Sequence, residues 1–281
     1  MPLVLLTATA LVFLAANSIL TRAGVLDGTD PLVFAVIRVA AGAAVLTALA
    51  ARRGITLTGT RRWGAAAALS VYLLGFSLAY RSLDAGLGAL ILFATVQLGL
   101  FALSLLRGEP TGPLRLAGMA LALGGLVWLL LPGGGVAARP LDVALMVAAG
   151  LGWAAYSLAG RSEPRPLAGS AGNFLIATLT FALAAPFWWG APVTAFGALM
   201  AAASGAIASG LGYALLFRVL PRMGIATAGV AQLAVPVIAT LLGAALLAEV
   251  PPPRALASGA LVLAGIALAT FRYSTIRSSG S

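Results

Sequence analysis

The amino-acid sequence predicts an all-α membrane protein, with ten transmembrane helices arranged as two inverted five-helix repeats. Three observations carry that reading. The chain is 61% hydrophobic and 9% charged, with a mean hydropathy of +1.06, more apolar surface than a soluble fold of 281 residues can hide. Apolar stretches long enough to cross a bilayer recur along its whole length, separated by helix-stopping residues. The chain also matches itself at an offset near 140 residues.

A helix needs about 20 apolar residues to span the hydrocarbon core. By that measure the spans fall near 3–21, 31–51, 63–82, 86–106 and 113–131, then near 141–159, 168–188, 194–216, 224–247 and 255–271. The first run has no basic segment ahead of it and is as long as a full span, so it reads as an uncleaved helix and not a signal peptide. Helix-stopping chemistry collects from Asp27 to Pro31, Gly108 to Pro110, Pro132 to Gly135, Pro164 to Pro166 and Pro251 to Pro253. Residues 1–135 form the first repeat, 136–275 the second, and 276–281 a polar tail outside the fold.

Orientation follows from arginine, which is retained on the cytoplasmic side. All of the net charge of +10 comes from Arg, and Lys is absent. With the N-terminus inside, twelve arginines, Arg52, Arg61, Arg107, Arg161 and Arg218 among them, fall on the cytoplasmic face. Only Arg22, Arg81, Arg139 and Arg254 fall on the outer face, so both termini are expected in the cytoplasm. The Ala, Gly and Arg bias points to a bacterial inner (plasma) membrane, with the chain multi-pass and in contact with membrane lipid.

The repeat rests on its least common residues. At an offset of 140, Glu109 falls on Glu249 and Pro113 on Pro253; at 139, Arg22 falls on Arg161; at 137, Arg81 falls on Arg218. Five spans per half is an odd number, so the second half enters the membrane upside down relative to the first. In secondary transporters such symmetry places a substrate site near the midplane and supplies two mirror-related access states. A duplication kept for stability alone is the other reading.

Composition excludes several classes. The high isoelectric point suggests a nucleic-acid partner, but the arginines sit singly in short gaps and form no basic face, so no nucleic acid is expected. Zero Cys removes disulfides and thiolate chemistry, and zero His removes the commonest general base and metal ligand; neither an enzyme nor a cofactor or metal site is expected. A channel or a structural membrane protein stays open. A channel would show flux without saturation.

Candidate cavity residues come from the interiors of the spans. Tyr72, Phe76 and Tyr80 form one stripe in the third span at i, i+4 and i+8. The offset of 137 puts Ser209, Tyr213 and Phe217 on the corresponding stripe of the eighth. A cavity lined by both would have a small polar centre and an aromatic constriction at each mouth; packing or interfacial-belt roles are the alternative. Asn17, Gln97 and Gln232 are amides within spans, where polar groups turn toward the bundle interior or clamp helices together. Asn17 has Tyr156 as its counterpart, close to Trp153. Arg38 is the only charge well within a span, and it either holds a structural or gating place or snorkels to the outer interface. Glu109 and Glu249, at helix ends beside Pro, suit structural or gating roles better than proton carriage.

Several of these residues recur in register. Asn17 is followed by Arg22 at the end of the first span, and Trp153-Ala154-Ala155-Tyr156 by Arg161 in the sixth; Arg38 lies early in the second span, a short turn follows Tyr80, and Glu109 and Glu249 close the fourth and ninth. On these motifs nearly the whole chain resembles the drug/metabolite transporter superfamily, specifically its EamA-type ten-helix members and, among them, the YddG-type amino-acid exporters. The ninth span carries Pro236, as such helices often do, whereas the fourth has Leu98-Gly99, so the two are not expected to bend alike. The resemblance implies a secondary transporter exporting small solutes by alternating access. Neutral amino acids, aromatic and hydrophobic ones included, are the expected substrates, with other metabolites or drugs as the alternative.

Overall fold

A computed structural model describes residues 3–52, 54–109, 111–131, 138–223 and 231–271. The described chain is helical throughout: α1 Leu3–Leu26, α2 Pro31–Ala50, α3 Thr60–Ala79, α4 Ala85–Leu106, α5 Pro113–Leu130, α6 Pro140–Arg161, α7 Pro166–Leu183, α8 Ala195–Arg222, α9 Ala234–Leu247 and α10 Pro253–Phe271. Among the described residues every helix except α9 is long and apolar enough to cross a membrane. The expected first residues of the ninth span, 224–230, lie outside the described residues. Ala231 and Gln232 are helical and Leu233 is a turn, so Pro236 sits in the first turn of α9 directly after a break in the helical run.

Local chemistry sets the boundaries. Asp30 caps α2 by accepting from the Leu32 and Val33 amides at 2.8 and 3.4 Å, with Pro31 following at the first helical position. Thr194 caps α8 through the Gly197 amide at 2.9 Å. The ends of α4 and α9 use one device twice. Gly108, at φ +68°, and Ala248, at φ +55°, both turn left-handed immediately before a glutamate. Glycine does this freely, whereas alanine costs about 1–3 kcal/mol, a strain that persists only where the surroundings fix it. It lays Glu249 back over the bundle, its amide bonded to the Gly243 carbonyl at 3.2 Å.

The eighth helix departs from expectation. It runs to Arg222, not to about 216, and Ser204–Leu211 within it is a π-helical turn. Such turns fit one extra residue into a helix and concentrate at functional sites. Gly205 lets this turn pack directly on α2, because a Cβ there would lie 2.0 Å from the Arg38 carbonyl oxygen.

Helix contacts come in matched sets. The pairs α2 with α7, α4 with α9 and α5 with α10 each join a helix to the one five places later. Contact of α3 with α6 is mirrored by α1 with α8, α4 with α6 by α1 with α9, and α3 with α7 by α2 with α8. At the α5–α10 seam, Gly118 and Gly265 bring the backbones together: a Cβ on either would stand 2.5 Å from the other's carbonyl oxygen. The remaining pairs enclose a buried centre where α1, α2, α3, α6 and α8 meet.

Candidate functional site

The centre is built around Arg38, which is fully buried two turns into α2. Its Nε donates to Ser209 Oγ at 3.1 Å, and one terminal nitrogen donates to the Tyr72 and Tyr213 hydroxyls at 2.9 and 3.1 Å. The Tyr213 hydroxyl donates in turn to that of Tyr72 at 2.9 Å. Ser209 passes the chain on to the Asn17 carbonyl at 3.0 Å, which also accepts from Ser204 at 2.8 Å. Ser204 and Ser209 are five residues apart, and the π turn brings both onto the face of Asn17. The other terminal nitrogen of Arg38, Nη1, has no hydrogen-bond partner among the described residues.

Aromatic rings seal this network. The Arg38 guanidinium lies 5.3 Å from the Tyr72 ring centre and 4.9 Å from that of Phe76, within cation–π range. Trp153 packs on Tyr72 at 5.0 Å, Tyr213 at 4.8 Å and Tyr156 at 5.9 Å. Its indole N–H is buried and has no hydrogen-bond partner among the described residues. From this layer Phe76 and Tyr80 continue toward one end of the bundle, their rings edge-on at 4.8 Å, and Phe217 continues from Tyr156 toward the other at 5.4 Å.

The two ends differ. At the first, Arg22 at the end of α1 donates to Glu249 at 2.7 Å, to the Tyr80 carbonyl at 2.9 Å and to Asp84 at 3.4 Å. Glu249 also accepts from the Ala85 amide at 2.7 Å, a carboxylate on the first turn of α4. These contacts tie α1, α3, α4 and α9 together. At the second end a vestibule of ≈ 260 Å³ opens between α3, α6, α7 and α8. Arg62 and Glu163 pair on its wall at 2.8 Å, and Ser170, Asn173 and Phe217 also line it. Arg161 and Glu109, the counterparts of Arg22 and Glu249, form no ion pair with each other; Glu109 is exposed and accepts from Ser104 at 2.6 Å.

Comparison with known proteins places this arrangement. An uncharacterised protein of Pseudomonas aeruginosa, PA1977, is 46% identical over 269 residues, 94% of this chain and 93% of that protein. Residues 141–271 match the EamA-like transporter family. This chain belongs to the EamA-like transporter family. Its ten helices are those of a multi-pass membrane transporter of small solutes. A solved crystal structure shares the fold at a TM-score of 0.68 and 21% identity, over 96% of this chain and 97% of that one.

In this EamA-family transporter the structure joins most of the residues singled out from sequence. Asn17, Arg38, Tyr72, Ser209 and Tyr213 share one hydrogen-bond network, and Phe76, Trp153 and Tyr156 pack around it. Tyr80 and Phe217 are buried rather than interfacial. Gln97 and Gln232 are half-buried, on α4 and just ahead of α9.

One expectation about the centre changes. Among the described residues it is not an open hollow, because the rings of Tyr72, Trp153 and Tyr213 fill one another's space and the vestibule stops one layer short, at Phe217. Three hydroxyls and two ring faces take the place of water around Arg38, so the side chain need not snorkel. Sequence reasoning missed Ser204, Arg62 and Glu163. For Ser204 the available signal was its spacing of five from Ser209, each followed by a glycine, Gly205 and Gly210.

Proposed function

We propose that this EamA-family transporter exports small carboxylate-bearing solutes, amino acids including aromatic and hydrophobic ones, across the bacterial inner membrane by alternating access. One observation carries the proposal: a buried polar centre walled by aromatic rings, approached by a vestibule from one end and shut off by a multi-helix ion cluster at the other. That is one half of an alternating-access cycle. The matched helix contacts, and a family match that begins and ends with the last five helices, support residues 1–135 and 136–275 as inverted repeats. Arginine placement makes the vestibule cytoplasmic, with both termini on that side. The motifs shared with YddG-type exporters support amino acids as substrates.

Turnover moves the halves so that the Phe217 layer closes while the Arg22 cluster parts. The test is counterflow in proteoliposomes. Vesicles preloaded with unlabelled phenylalanine take up labelled phenylalanine transiently and saturably if the chain is a carrier. Uptake equal to that of empty vesicles, for phenylalanine and every other carboxylate offered, rejects the function. Uptake that rises linearly without saturation indicates a channel.

A further inference from the structure

Resting on the transporter reading, we infer that the central site prefers aromatic monocarboxylates lacking an ammonium group to amino acids of the same skeleton, and that the chain moves them as monoanions driven by the membrane potential. The starting point is an unbalanced charge. Arg38 is fully buried, cannot shed its proton, and has only neutral partners. The seven carboxylates of the chain all sit in loops, at helix caps or in a first helical turn, as Asp142 does. A buried cation without a counter-ion is costly, and an intramembrane charge marks a functional site whose partner should be named.

Donors beside it remain open. Arg38 Nη1 and the Trp153 indole N–H are both buried, able only to donate, and without a hydrogen-bond partner among the described residues. Neither can satisfy the other. Nη1 suits a carboxylate oxygen once the surrounding rings part to admit a ligand, with an aromatic or large apolar remainder among them.

An ammonium group finds the opposite. No carboxylate faces the centre, Arg38 repels it, and Arg38 already occupies the faces of Tyr72 and Phe76 that would otherwise hold a cation. A zwitterion therefore leaves its positive end poorly solvated, and the acid without it fits better. The energetics then need no proton carrier. An exported monoanion runs down an inside-negative potential, and 100 mV, at about 2.3 kcal/mol per elementary charge, sustains a gradient of roughly 45-fold.

Phenylpyruvate and phenylalanine share skeleton and carboxylate and differ at the α-position, so they separate the two readings. The unmodified chain is reconstituted in vesicles with a valinomycin-set potassium potential, and entry of each labelled compound is followed. Phenylpyruvate is expected to half-saturate at a concentration at least tenfold lower than phenylalanine, and its accumulation to rise with inside-positive potential. R38Q should abolish the preference and R38K partly restore it. The potential arm uses the native sequence, so it decides the matter whether or not R38Q folds. Phenylalanine moving as well as or better than phenylpyruvate, with no response to potential, overturns this inference and leaves amino-acid transport standing. If neither compound exceeds empty vesicles, both this inference and aromatic solutes as its substrates fall.

Discussion

At one end of the bundle Arg22 and Glu249 meet at 2.7 Å; at the other, Arg161, 139 residues after Arg22, and Glu109, 140 before Glu249, stand apart. The same left-handed turn precedes both glutamates, yet it is alanine at the joined end and glycine at the parted one. Like residues on like turns thus hold opposite states within one molecule. The difference lies in where the helices stand and not in what they carry, as expected when the two pairs close in turn. The strained turn at Ala248 is held where Glu249 pairs with Arg22, whereas Glu109, after the unstrained Gly108, is exposed.

The most severe way to break this contrast is to remove the joined pair. Glu249→Gln leaves Arg22 buried without its main counter-charge, a loss of about 3–5 kcal/mol from the closed state, or at least about 100-fold in its population. The chain contains no cysteine, so a Ser77→Cys reporter, buried beyond Phe76 toward that end, is unique. Its labelling by a membrane-impermeant maleimide is expected to rise steeply in the Glu249→Gln background. Unchanged labelling would show that the cluster is not the seal.

Next in size is exchange of the charges. Arg22→Glu and Glu249→Arg should each disable transport, and the double variant should recover at least a tenth of it, since coupled partners are non-additive. The Asp84 and Ala85 contacts do not invert, which limits the recovery. Smaller again is the parted pair. Glu109→Gln should leave maleimide access to Ala159→Cys in the vestibule unaltered while slowing turnover about tenfold, because its partner is met only in the other state. An equal loss of resting accessibility would mean that Glu109 already acts here.

The least effect is expected at the centre, which both states share. Ser204→Ala removes one of two donors to Asn17, worth about 1 kcal/mol, and should lower the unfolding midpoint in detergent by a few degrees at most. A larger fall in transport than in stability would make Ser204 part of the moving contact.

The helices were legible because crossing a bilayer imposes a length and an apolar composition that few alternatives meet. Both aromatic stripes were legible as well, since i, i+4 spacing fixes a face and the offset of 137 paired Tyr72 with Ser209 and Phe76 with Tyr213. Depth was harder. Arg38 could be placed within a span, but its burial depends on hydroxyls from two other helices. Gln97 and Gln232 show the limit of reasoning from polarity: an amide in a span must face protein, and polarity does not say which of several interfaces it faces. Arg22 and Glu249 were each singled out, and parity puts both on one membrane face, yet their contact depends on a turn at Ala248 that no residue preference announces. The closed centre was hidden for another reason, because which rings fill one another's space is decided where α3, α6 and α8 meet and not along any one of them.

The π turn of α8 gives that helix one residue more than its pitch requires. Each residue of an α-helix advances about 100° around the axis. Tightening Ser204–Leu211 to regular pitch would therefore swing everything after it through roughly that angle, taking Tyr213 away from Arg38 and Phe217 away from Tyr156 together. A surplus of a single residue is enough to let the lower half of one helix pivot like a key while its upper half stays in place.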